Sequence, residues 1–237
     1  VDVLNRYLSV ISDAVLNESG TIDKYEGDAM VAFFGAPVSL SDHARRACEA
    51  ALSIKEAENR LNKDLMRDAG LPSPLYTRIG INTGRMLVGN LGTDRRMDYT
   101  ILGHEANLAS RLEGVNKQYG TWVIISEHTA EAVGDAFLTR RLDRVRVVGV
   151  EEPVRIFQLM GRRGEETPLL REALQIFDEG LDAYEKRDFE LARNRFEQVR
   201  KIYPDDSPSG VFIRRCDEFI ESAPAEDWDA SVKLVEK

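Results

Sequence analysis

The chain has 237 residues, 43% of them hydrophobic and 31% charged, and a formal net charge of −9. That length suits one large or two ordinary folded domains, and the acidic balance argues against a nucleic-acid partner, which needs a basic face. No apolar run approaches the ~18 residues of a membrane helix, and no signal peptide leads the chain.

The chain opens on Val1 rather than Met, so a fragment is expected, with any membrane segment belonging to the parent. Cys48 and Cys216 lie far apart in unlike patterns. That argues against a structural disulfide or metal pair and fits a reducing compartment.

Apolar residues at Val1, Leu4, Leu8, Ile11 and Val15 have helical spacing with one buried face. Thr21, Ile22 and Tyr25, then Val31, Phe33 and Phe34, are strand formers on either side of Glu26-Gly27. This pattern predicts a hairpin with Glu26-Gly27 as its two-residue turn and Tyr25 opposite Asp28. Strand alternation would then point Lys24 and Asp28 to opposite faces; an ordinary polar surface turn is the alternative. Ser41 is the expected N-cap of a helix running to about Ala69 and closed by Gly70. Strands are expected at about 77–82, 85–88 and 98–102. A helix follows over 105–119 with Gly120 as C-cap, then a strand over 122–125 and a short helix capped by Ser126. Residues 140–148 and 154–160 read as a closing antiparallel pair. Alternating strands and helices with at least two hairpins predict an α+β or mixed α/β sandwich.

Residues 161–166 form a polar linker. Beyond it, Thr167-Pro168 starts a run read as helices only, at 168–186, 189–202 and 208–220. Gly180, Phe189, Ala192, Phe196 and Pro204 fit one tetratricopeptide-type helix pair, which must lean on a neighbour to bury its face. Residues 224–237 are expected to be a docked or disordered tail.

The stretches GTIDKYEGDAMVAFFGAP and RMDYTILGHEANLASRLEGVNKQYG together resemble the catalytic domain of class III nucleotidyl cyclases. Leu142 to Arg146 followed by Glu151 to Val154 is similar to that family's closing strands. The resemblance covers residues 1 to about 160. It implies a ferredoxin-like cyclase sandwich over residues 1–163, followed by a small all-α extension over 164–237. It also implies a cytoplasmic output domain, with membrane association only through a parent segment outside this chain, acting as a head-to-tail homodimer with active sites at the subunit interface. The implied reaction is attack of the ATP ribose 3′-hydroxyl on the α-phosphate, assisted by two Mg²⁺ or Mn²⁺ ions.

By the same resemblance, Asp28 matches a metal-binding aspartate, and Lys24 with Thr100 matches the adenine-recognising pair. Lysine offers donors and threonine a hydroxyl that donates or accepts, which suits the N1 and N6 edge of adenine. Asn107 and Arg111 share a helix face and match the ribose-orienting Asn and the transition-state Arg. The first metal aspartate of the family would lie upstream of Val1, since Asp2, Asp13 and Asp23 have the wrong context. The chain by itself is therefore expected to be inactive or nearly so. Val148 and Val150 stand where the family carries lysines near the triphosphate, with Arg146 or Lys117 as possible substitutes. His104 replaces a family aspartate at the start of a helix. These departures leave a weak or inactive nucleotide-binding or dimerising module as the alternative.

Overall fold

A computed structural model describes residues 2–68, 72–146 and 152–233. Val148, Val150 and Gly70 lie outside the described residues. The first helix, α1 (Asp2–Asn17), buries Ile11 and Val15, as the spacing predicts, together with Ala14, but Leu4, expected on the same buried face, is exposed. The hairpin follows as β1 (Thr21–Glu26) and β2 (Ala29–Phe33). Then comes α2 (His43–Asp68). It starts later than Ser41 because the Asp42 carbonyl accepts the first helical bond, from the Arg46 N–H at 3.0 Å.

A five-stranded sheet forms the centre, in the order β3 (Ile79–Ile81), β6 (Val123–Ser126), β8 (Val154–Arg162), β7 (Phe137–Arg146), β9 (Ser231–Lys233). β3 runs parallel to β6 and β9 parallel to β7, while β8 is antiparallel to both its neighbours. A separate ribbon joins β4 (Leu87–Thr93) to β5 (Arg96–Leu102). It is longer than the sequence suggests, because its turn falls at Asp94-Arg95 and both strands run up to it.

Both faces of the central sheet are covered, and β6 is buried at all four positions. Val123 and Ile125 point to a cluster with Ala44, Cys48, Ala51 and Leu52 of α2. Ile124 points the other way, into a cluster with Leu108, Leu112, Val115 and Tyr119 of α3 (His104–Tyr119). The small residues of α2 permit the close approach that the sequence suggests. The short α4 (Glu127–Val133) is capped by Ser126, whose hydroxyl accepts the Thr129 N–H.

The α3 cluster continues without a break into α5 (Pro168–Glu185), α6 (Phe189–Ile202) and α7 (Ser207–Glu221). Thr167 caps α5, with proline in the first turn. Phe177, Tyr184, Phe196 and Phe212 form its aromatic centre, with Phe177 and Phe212 edge to face at 5.9 Å. The tail is docked: Trp228 packs edge to face on Tyr184 at 5.3 Å, and β9 extends the sheet.

Candidate functional site

The hairpin turn sits one residue later than predicted. Glu26 pairs with Ala29, so Gly27-Asp28 occupies the turn. Gly27 has φ +68°. A type II′ turn needs a positive φ at its first central residue, which Gly27 adopts freely and Glu26 could not. Asp28 is therefore an exposed turn residue rather than a ladder residue facing Tyr25. The opposite-face argument for Lys24 and Asp28 accordingly loses its basis, because the alternation stops at Glu26.

A second irregularity lies between Ile22 and Lys24, where the pairing register shifts around Asp23. Such a bulge re-aims side chains. The Asp23 carboxylate is 2% exposed, lies 3.7 Å from the Lys24 ammonium, and accepts a hydrogen bond from the Thr100 hydroxyl at 3.0 Å. Thr100 is buried on β5, opposite Gly89. The structure thus joins Lys24 and Thr100 through a residue to which the sequence alone assigns no role.

β5 passes through Gly103 into α3, which presents Asn107 and Arg111 one turn apart on its exposed side. What holds α3 in place is a close backbone approach. A Cβ on Gly80 of β3 would lie 2.2 Å from the Ala109 carbonyl oxygen, so only glycine fits. Asn116, fully buried on α3, donates to the Ile79 carbonyl at 3.0 Å. At the start of the helix, Asn82 donates to the Glu105 carboxylate at 2.6 Å. Glu105 supplies the acid of the first turn, one residue after His104. Gly120 closes the helix in the left-handed conformation, as predicted.

The rear of α3 is tied to the helical extension. Arg215 of α7 contacts the Asp143 carboxylate of β7 at 2.5 Å, and Tyr119 donates to the same oxygen. Burial pushes the Asp143 carboxyl up, opposed by the Arg215 charge and by hydrogen bonds from Tyr119, Arg215 and the Arg144 N–H. Burial also raises the Tyr119 hydroxyl, and the Asp143 charge adds to the effect. Arg140 pairs with Asp206 at 2.7 Å, and Arg141 with Asp178 at 2.9 Å. Arg146, considered above as a phosphate ligand, pairs with Asp229 at 2.5 Å and donates to Ser231. Lys117 is exposed on the last turn of α3.

Asp28 offers one exposed carboxylate at the hairpin tip. Among the described residues, no group of three or more His, Cys, Asp or Glu side chains could hold a metal ion. Also among them, no helix is long and apolar enough to cross a membrane.

A mixed sheet with helices on both faces, preceded by a helix and a hairpin, is the fold of a nucleotidyl cyclase type of catalytic domain. The model of the adenylate and guanylate cyclase catalytic domain matches residues 1–161, and the chain belongs to that family. It is 35% identical over 222 residues to the terminal-differentiation-specific adenylate cyclase of Dictyostelium discoideum, covering 91% of this chain and 10% of that protein. That likeness therefore runs past the catalytic domain into the helical extension. Among solved structures, the adenylyl cyclase CyaB from P. aeruginosa is 36% identical with a TM-score of 0.63, over 70% of this chain and 84% of that one. The guanylyl cyclase Cya2 is 35% identical with a TM-score of 0.62, over 70% and 83%. The chain spans 10%, 24% and 31% of the length of three curated relatives that it matches.

Proposed function

We propose that the chain is the catalytic output domain of an adenylate cyclase, converting ATP to 3′,5′-cyclic AMP and pyrophosphate. The observation that carries this reading is the Lys24–Asp23–Thr100 constellation on β1 and β5, followed directly by Asn107 and Arg111 on α3. Lys24 donates to adenine N1, and the Thr100 hydroxyl meets the N6 amino group. Asn107 holds the ribose so that its 3′-oxygen lines up with the α-phosphorus. That oxygen forms the new bond to the α-phosphorus and gives up its proton to water, while the bond from the α-phosphorus to the bridging oxygen breaks and that oxygen leaves as part of pyrophosphate. Arg111 binds the negative charge that grows on the α-phosphate oxygens, its planar fork matching phosphate geometry.

Divalent Mg²⁺ or Mn²⁺ supplies charge neutralisation at the phosphates and activation of the hydroxyl. Asp28 fits as one of the one or two carboxylates that such ions take alongside phosphate oxygens. Two copies complete each site head to tail, with Asp28 from one and Lys24, Thr100, Asn107 and Arg111 from the other. The β4–β5 ribbon supports this arrangement. Leu87 is 71% and Met97 60% exposed, a degree of apolar exposure that suits burial against a partner.

Residues 1–163 act as the catalytic unit and 164–237 as a tetratricopeptide-like extension. The tight contact of Gly180 with Phe196 supports a helix pair of that kind. Free, buried Cys48 and Cys216 suit a cytoplasmic setting.

A second reading, a catalytically weak nucleotide-binding module, is favoured by one observation: Arg146 is engaged by Asp229 and Ser231. The chain extended upstream and assayed with ATP and Mg²⁺ or Mn²⁺ separates the two. Cyclic AMP formation is the expected result. Binding of a nonhydrolysable ATP analogue without cyclic AMP would favour the second reading. Lys24→Glu with Thr100→Cys should erode the preference for ATP, and unchanged base selectivity would refute the assignment of that pair.

A further inference from the structure

Likeness of fold leaves the base open, since an adenylyl and a guanylyl cyclase structure match this chain almost equally well. We propose that Asp23 is the positioning residue that sets base selectivity, by fixing the direction of the Thr100 hydroxyl. This rests on the reading of Lys24 and Thr100 as the adenine pair.

The bulge at Asp23 is what makes the arrangement possible. In a regular strand, Asp23 and Lys24 would point to opposite faces. Here the register shift brings the Asp23 carboxylate inward while the Lys24 ammonium stays 3.7 Å from it. One carboxylate oxygen, Oδ2, serves both neighbours.

A threonine hydroxyl carries one proton and two lone pairs, and an ionised carboxylate only accepts. With its proton given to Asp23 at 3.0 Å, Thr100 has only acceptor capacity left for a base. Lys24 has three N–H donors, so contact with Asp23 leaves others for the base. The pair then presents an acceptor beside a donor. Adenine offers a matching donor at N6 and acceptor at N1. Guanine offers an acceptor at O6 and a donor at N1, so both positions conflict. A hydroxyl free to rotate would lose half of this discrimination, because it could donate to O6. The selectivity therefore comes from the carboxylate behind the threonine as much as from the threonine itself.

The test measures the affinity of the 237-residue chain for nonhydrolysable ATP and GTP analogues in the presence of Mn²⁺. The wild type should prefer the ATP analogue. Asp23→Leu keeps the branched shape but removes the acceptor, so the Thr100 hydroxyl is free to turn its proton to a base. The ATP-to-GTP affinity ratio should fall by about tenfold, the worth of one hydrogen bond. In a Thr100→Val background the same substitution should leave the ratio unchanged, because its effect passes through the hydroxyl. A merely structural role for Asp23 would instead lower both affinities together. Two results overturn the inference and leave the adenine-pocket reading standing. One is a wild-type ratio kept within about twofold in a folded Asp23→Leu chain; the other is a ratio change that persists in the Thr100→Val background. Failure of the wild type to bind either analogue, or to prefer ATP, overturns both. If Asp23→Leu does not fold, NMR of the wild type decides the matter. A Thr100 hydroxyl proton protected from exchange supports the inference, and a freely exchanging one defeats it.

Discussion

On one side of α3, Leu108, Leu112, Val115 and Tyr119 are buried against the sheet and the helical extension; on the other, Asn107 and Arg111 are exposed. The buried side is densely tied. Tyr119, Asp143 and Arg215 share a hydrogen-bonded ion pair, and Gly80 lets the helix backbone touch β3. The open side carries polar groups suited to a ligand. In the proposed function, placement and chemistry are thus divided between two faces of one helix. The rear face fixes where Asn107 and Arg111 stand, and α5–α7 are part of that support.

The largest effect should come from breaking the rear face. Arg215→Ala leaves the buried Asp143 carboxylate without its cation, a loss of about 3–5 kcal/mol by comparison with other buried pairs. In a chain of this size that lowers the melting temperature by on the order of 10 °C. Thermal unfolding followed by circular dichroism measures it, and a shift of only a degree or two would mean that the seam carries little of the stability. Next comes the open face. Arg111→Ala in the upstream-extended chain should cut turnover roughly 10²–10³-fold while analogue affinity changes little. Equal losses in both would make Arg111 a substrate-binding group, and the division between the faces would need redrawing.

The smallest effect concerns the end of the tail. The Ser231 hydroxyl and N–H, with Arg146, hold the Asp229 carboxyl down at about 2. A folded value below the unfolded one, near 3.9, adds stability above about pH 4 that is lost as pH falls toward 2. The carboxylate is partly exposed, so screening keeps the contribution small. Trp228 fluorescence should report loosening of β9 between about pH 4 and pH 2. Loosening centred above about pH 5 would point to a group other than Asp229.

Helices were legible wherever an apolar stripe met a cap, as in α3 with Gly120 and α5 with Thr167 and Pro168. The hairpin was legible too, but its turn lies one residue on, because the need for a positive φ at the first central position outweighs the Glu-Gly pair. Asp23 escapes a reading that considers only a metal role for it. The available signal was two opposite charges in succession within an otherwise apolar strand, which regular alternation handles poorly and a bulge handles well. The arginines and aspartate of β7 gave no sign that they face acids and a tyrosine of other elements, since such pairing depends on chain segments far apart in sequence. β9 is three residues long and takes its conformation from β7, so its own residues carried little strand signal.

Central to the proposed function is that each active site needs two copies of the chain, with Asp28 from one facing Arg111 of the other. Mixing Asp28→Ala and Arg111→Ala variants of the upstream-extended chain tests it directly. Each variant alone should be nearly inactive. A mixed head-to-tail dimer regains one intact site, so an equal mixture should recover about a quarter of wild-type cyclic AMP synthesis. A mixture no more active than either variant alone would contradict the claim.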